Sequence, residues 1–246
     1  MRDLWRGRTA IFLDMDGVLV DNGPPLAAAY TRAVSEVLAA RLGGDVAAWA
    51  RAHETSFANL PAAPDGPKHF AGTPMTPSEM YRLENLLGVR GACAVLGVTP
   101  PPEDECDAWG HEMEQRARFE YSRALPGAAP AVEAMADDVA LHMSSGNAAW
   151  VIAGTLEHMA ISEHFGLGCG ADLVGVVKAH DDFFPRVFDL ADARAQDAIV
   201  VDDRADVLAR AKRAGAATVL VGAPSAGGEA DLVVGSLADL PGVLGF

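Results

Sequence analysis

Beyond Pro126 the chain alternates between two periodicities, and that alternation restricts it to one fold class. AVEAMADD reads as a helix, VALHM as a short strand, AAWVIAGTLEHMAISEHFG as a helix and ADLVGVV as a strand. FFPRVFDLADARA reads as a helix with Pro185 in its first turn, where a missing N–H is tolerated. AIVVDD is a strand, ADVLARAKRAG a helix closed by Gly215, ATVLVG a strand, and DLVVGS and SLADLPGVL a last strand and helix. Strand alternating with helix builds an α/β domain around a parallel sheet covered on both faces. Ligands of such sheets bind beyond the carboxyl ends of the strands. The residues at strand ends therefore become the functional candidates.

The first strand stands far from the others. Thr9 to Asp14 forms it, inside the stretch IFLDMDGVLVDN, and Pro24 to Leu42 follows as a helix. Residues 43 to 125 then carry Pro- and Gly-rich segments, PAAPDGPKHFAGTPMTP and PPPEDE. Helical patterns lie between them, SEMYRLENLLG and DAWGHEMEQRARFEYSRAL, with hardly any strand signal. The expected organisation is a core domain from residues 1–22 and 126–246, with a mostly helical domain inserted at 23–125.

With 246 residues, half of them hydrophobic, a substantial core is within reach. A formal charge of −15 argues against a nucleic-acid binder, which needs a basic face, and against an anionic membrane surface. It does not exclude a small anionic substrate in a locally positive pocket. Three cysteines, Cys93, Cys106 and Cys169, have no paired spacing and point to reduced thiols in a cytoplasmic protein. Asp14 and Asp16 interrupt the only apolar stretch that mimics a signal peptide, and no apolar run reaches membrane-spanning length.

The strand ends carry chemistry. The first ends on Asp14, with Asp16 two residues on; VALHM ends on Ser144, Ser145 and Gly146; ADLVGVV is followed by Lys178; AIVVDD ends on Asp202 and Asp203. Two acid pairs facing one crevice repel, at roughly 4 kcal/mol for like charges about 4 Å apart at an effective dielectric near 20. A hard divalent cation removes that cost, and Mg²⁺ takes one or two carboxylates plus substrate phosphate oxygens. Lys178, one of only three lysines, adds positive charge, and the Ser144 and Ser145 hydroxyls suit a phosphoryl oxygen. Asp14 can attack phosphorus as a nucleophile, while Asp16 can protonate the leaving oxygen and then activate water.

These motifs resemble the haloacid dehalogenase (HAD) superfamily. DMDGVLVD is similar to its first motif, HMSSGN to its second, Lys178 to its third, and VVDDRADVLARAKRAG to its fourth, in the family's order. The resemblance covers residues 9 to 22 and about 126 to 246 and implies a doubly wound, Rossmann-like core with a helical cap inserted after the first motif. It also implies Asp14 as nucleophile, Asp16 as acid/base, and Ser144 and Lys178 as phosphate contacts. Asp203 would be the direct Mg²⁺ ligand with Asp202 beside it, joined by Asp14 and the Asp16 backbone carbonyl. Dehalogenating members lack the second carboxylate that Asp16 provides, which favours the phosphatase branch. Sugar phosphomutases of the family carry a hinge histidine where this chain has NGPPLAAAY, which disfavours that alternative.

The expectation is thus a Mg²⁺-dependent phosphatase of a small phosphorylated metabolite, with a phosphomutase or a silent HAD-like binding protein as alternatives. The insert is expected to form a lid that restricts substrates to small molecules, with Lys68 and Arg82 as substrate contacts. His142, within a strand, reads as a satisfied core residue, and Asp206 as a first-turn acid favoured by the helix dipole.

Overall fold

A computed structural model of the chain describes residues 7–58, 75–121, 123–222 and 230–246. The chain divides into two compact units, Met1–Asn22 with Arg123–Phe246, and Gly23–Ser122. Among the described residues no helix is long and apolar enough to cross a membrane.

The first unit begins with β1 (Ala10–Leu13), whose four residues are all buried. The second unit follows, its described residues forming α1 (Pro24–Leu42), α2 (Val46–Ala58), α3 (Pro77–Leu96) and α4 (Glu103–Gln115). The chain then returns to the first unit through α5 (Ala128–Ala136), β2 (Ala140–Ser144), α6 (Ala149–His158), β3 (Phe165–Cys169), α7 (Ala171–Val174) and α8 (Phe183–Leu190). β4 (Ala198–Asp202), α9 (Ala205–Arg213), β5 (Ala217–Val221), β6 (Leu232–Val234) and α10 (Leu240–Leu244) complete it. Among the described residues six strands form one parallel sheet in the order β3-β2-β1-β4-β5-β6. β-branched runs such as AIVVD and ATVLV fill the central strands and are buried throughout, as a sheet covered on both faces requires. The order reverses direction at β1, because β2 and β3 lie on one side and β4 to β6 on the other. That reversal is the switch point beside which open α/β sheets place their ligands.

Two assignments from sequence are corrected. The strand next to β2 is FGLGC, not ADLVGVV, and ADLV instead forms the short helix α7. Two of the five β3 residues are glycine, which carries low strand propensity, so its signal is weak against the apolar run that follows. Lys178 therefore follows α7 through a loop and does not sit directly at a strand end. His142 is only partly satisfied: its ring stacks on Phe12 at 5.0 Å, yet its buried Nδ1 has no hydrogen-bond partner among the described residues, and burial lowers its pKa.

The helical unit packs around its own core, in which Val34, Leu38, Trp49, Val89, Cys93, Cys106, Trp109 and Met113 are buried. Each large apolar side chain of this kind contributes about 1.5–3 kcal/mol on burial. Trp49 also donates its indole N–H to the Gly43 carbonyl at 2.8 Å. α3 starts at a capping box, Thr76 with Glu79, followed by Pro77 in its first turn. After α4 the chain continues as a π-helical turn, Arg116–Tyr121, where the sequence suggested an unbroken helix. The buried Arg118 in this turn donates from Nε to Tyr30 Oη at 3.0 Å and to Glu114 Oε1 at 3.1 Å. All three cysteines are free and buried.

Glu84, on α3, is pushed up to about 7 by burial and, secondarily, by Glu114. A carboxyl group with a raised folded-state pKa binds its proton more tightly in the folded than in the unfolded chain, so deprotonation favours unfolding. Its stabilising contribution is complete below about pH 4.5, falls as the pH rises and is lost above about 7. Glu84→Gln is accordingly expected to match wild type near pH 4.5 and to exceed it by about 1–2 kcal/mol at pH 8, after discounting for partial solvent access. Paired thermal melts across this range measure the gap, and a gap that does not widen with pH would reject the assignment.

Candidate active site

Register assembles the site. Leu13 pairs with Met143 on β2 and with Val201 on β4, so Asp14, one residue further, lies in line with Ser144 and Asp202. The Asp14 backbone N–H still donates to the Val201 carbonyl at 2.9 Å, which holds the acid at the rim of the sheet. Met15 points into the core and is fully buried, which leaves Asp14 and Asp16 on the opposite side of the chain. A tight turn follows, in which the Leu19 and Val20 N–H groups both donate to the Met15 carbonyl. Gly17 makes that turn at φ +82, and a Cβ there would lie 2.2 Å from Asp203 Oδ2. Only glycine allows both the backbone conformation and the close approach of Asp203.

Asp14, Asp202 and Asp203 each bring a carboxylate oxygen into a cluster whose members lie within 4.8 Å of one another. Lys178 Nζ stands 2.8 Å from Asp14 Oδ1 and 2.6 Å from Asp202 Oδ2. Asp202 is fully buried, and its other oxygen accepts from the Arg204 N–H at 2.8 Å. Asp203 Oδ2 accepts from Asn22 Nδ2 at 3.0 Å. Asp16 Oδ2 accepts from Asn147 Nδ2 at 2.9 Å.

The electrostatics follow from burial. Asp14 is raised to about 7, first by desolvation, with Asp202 and Asp16 adding repulsion and Lys178 opposing it. Asp202 and Asp203 are also raised, in each case mainly by burial. Burial pulls Lys178 down, but Asp14 and Asp202 outweigh it and the net shift is upward. The lysine is thus a fixed positive charge facing a surplus of acids. Three carboxylate donors at this spacing match what a hard, oxygen-seeking divalent cation requires.

Ser144 Oγ is fully buried and has no hydrogen-bond partner among the described residues. An orphaned buried hydroxyl beside the nucleophile candidate is an open donor for a bound anion. Ser145 is differently placed, since its Oγ already accepts from the Asn147 backbone N–H at 3.3 Å and from Nδ2 at 3.2 Å. Asp206 is committed to Arg204 at 2.8 Å and Arg210 at 3.1 Å, apart from the acid cluster. Lys68 lies outside the described residues. Arg82 belongs to the helical unit, where its Nε stands 3.7 Å from Asp107.

The structure brings Asp14, Asp16, Ser144, Lys178, Asp202 and Asp203 together, and it adds two residues that sequence reasoning did not single out. Asn22 and Asn147 each hold one of the acids. Their signal lay in position only: Asn22 closes LVDN and Asn147 closes HMSSGN.

A protein-family model described as haloacid dehalogenase-like hydrolase matches residues 9–215, spanning every residue of this cluster. The chain belongs to the haloacid dehalogenase-like hydrolases. Solved HAD-type structures share the fold over nearly the whole chain. A 2-haloacid dehalogenase from Pseudomonas syringae pv. Tomato DC3000 has a TM-score of 0.66 at 18% identity, covering 97% of this chain and 98% of its own. A predicted phosphoglycolate phosphatase from Haemophilus somnus 129PT gives 0.62 at 18%, covering 96% and 98%. A proposed HAD-hydrolase, YfnB from Bacillus subtilis, bound to magnesium, gives 0.64 at 13%, covering 97% and 99%. At such identities the likeness is one of fold. No curated protein sequence matches this chain.

Proposed function

We propose that this HAD-like hydrolase is a magnesium-dependent phosphatase that hydrolyses a small organic phosphate monoester through an aspartyl phosphate on Asp14. The observation that carries the reading is the convergence of Asp14, Asp202 and Asp203 within 4.8 Å, with the Lys178 ammonium against two of them. That surplus of negative charge calls for a divalent cation, and displacement of halide from carbon by a carboxylate has no such need. Magnesium held by Asp14, Asp203 and the neighbouring Asp202 would neutralise charge on the transferring phosphoryl group.

The chain's own residues then divide the work. Ser144 Oγ and Lys178 Nζ hold phosphoryl oxygens and keep phosphorus in line with Asp14. A carboxylate oxygen of Asp14 forms a bond to phosphorus as the bond to the ester oxygen breaks. Asp16 gives its proton to that departing oxygen and later takes one from the water that cleaves the aspartyl phosphate, releasing phosphate and restoring Asp14. Further support comes from a predicted phosphoglycolate phosphatase among the fold neighbours and from the magnesium bound in another. The net charge of −15 favours a small substrate over nucleic acid, and three free thiols suit a reducing, cytoplasmic setting.

A phosphate-release screen over metabolite phosphates, with Mg²⁺ and with EDTA, tests the reading. A parallel assay follows halide release from 2-haloacids. Phosphate release that EDTA abolishes is the expected result; halide release without phosphate release would overturn it.

A further inference from the structure

Asn147 is held more firmly than a loop residue needs to be. Its carboxamide donates to Asp16 Oδ2 at 2.9 Å and to Ser145 Oγ at 3.2 Å, while its backbone N–H also donates to Ser145 Oγ. Its carbonyl accepts from the Ala171 N–H at 3.0 Å. Gly170 makes that approach possible, because a Cβ there would stand 2.7 Å from the Asn147 oxygen and 2.3 Å from the Ala149 nitrogen. Asp172 Oδ1 fixes the next turn by accepting from the Ala149 N–H at 2.8 Å. Ser145 itself is 1% exposed and anchored by its N–H to the Cys169 carbonyl. The Asn147 amide is thus locked from β2, β3 and α7 before it meets Asp16.

A carboxamide NH₂ only donates, so the Asp16 oxygen it touches can only accept. We propose that Asn147 is a positioning residue for Asp16: its amide holds Oδ2 and so fixes the plane of the carboxyl group that exchanges the proton. The inference rests on the phosphatase reading and adds a specific division of labour to it. As the Asp14 oxygen bonds to phosphorus and the ester bond breaks, the proton on the Asp16 carboxyl passes to the leaving oxygen. Loss of the amide should therefore harm the reaction in proportion to how much the leaving group needs that proton.

Two esters read this out, phenyl phosphate, whose phenolate leaves poorly without a proton, and 2,4-dinitrophenyl phosphate, whose phenolate needs none. kcat/KM is the right quantity, since it reports the steps up to the first phosphoryl transfer and not the later hydrolysis. Asn147→Ala is expected to lower kcat/KM by about 10- to 100-fold for phenyl phosphate and by less than about threefold for 2,4-dinitrophenyl phosphate. Asn147→Asp, which keeps the size but removes the donor, should show the same selective loss. The ratio of the two esters is measured within one preparation, so a partly folded variant does not distort it. Inhibition by inorganic phosphate should keep its wild-type strength, because Ser144 and Lys178 are untouched. An equal loss on both esters, or weakened phosphate inhibition, would overturn the inference and make Asn147 a structural residue or a substrate ligand. A wild-type protein that releases phosphate from neither these esters nor any metabolite phosphate would overturn the phosphatase reading along with it.

Discussion

Asp14→Asn is expected to fold as wild type does and to turn over at least about 10⁴-fold more slowly, since a carboxamide cannot form the acyl phosphate. The register of β1 places this side chain in line with both Ser144 and Asp202. Asp202 is fully buried behind Lys178, and Asp16 is turned toward Asn147. Stability separates chemistry from folding. In EDTA at pH 8 the variant loses one member of a crowded acid cluster, while Lys178 keeps Asp202 as partner. Its melting temperature should equal or exceed that of wild type. Appreciable phosphate release from a folded Asp14→Asn protein would rule out covalent catalysis at this residue.

Asp203→Ala should act on the metal. Asp203 is the less buried member of the acid cluster, and its Oδ2 is oriented by Asn22. On the proposed reading, in which Asp203 is a metal ligand, its loss is expected to raise the Mg²⁺ concentration for half-maximal activity by about 100-fold or to abolish activity. A readout independent of turnover is available in the thermal shift on adding Mg²⁺, since a ligand that binds the folded state raises its melting temperature. Wild type should shift and the variant should not. An unchanged Mg²⁺ dependence would move the ligand role to Asp202, because Asp206 is tied to Arg204 and Arg210.

The parts of the fold that the sequence reveals are those where one residue type has one physical reason to be there. AIVVD is β-branched and uniformly apolar, so it reads as a central strand, and the acids that follow it read as a strand-end site. Phe165–Cys169 was missed because its pairing with β2 depends on glycines that carry no apolar signal. ADLVGVV was over-read for the converse reason, since its apolar residues serve a short helix, α7, of which only Ala171 and Val174 are buried. α2 went unread because its inward face amounts to Trp49 and Ala52. In the site, charged residues at strand ends were legible because burying charge demands an explanation. Asn22 and Asn147 were not, because an amide in a turn has an ordinary local reason to be there and its long-range partner shows only in three dimensions.

The placement of β1 in the middle of the sheet also has a consequence for synthesis. Its partners, β2 and β4, are encoded only after the whole helical unit. At translation rates of roughly 5–20 residues per second, the strand AIFL waits on the order of ten seconds for a neighbour. The helical unit is contiguous in sequence and packs consecutive helices, so it can condense during that interval. The nascent chain therefore passes through a stage with one finished helical unit and one unpaired apolar strand. No truncated product ending before β4 can carry the acid cluster.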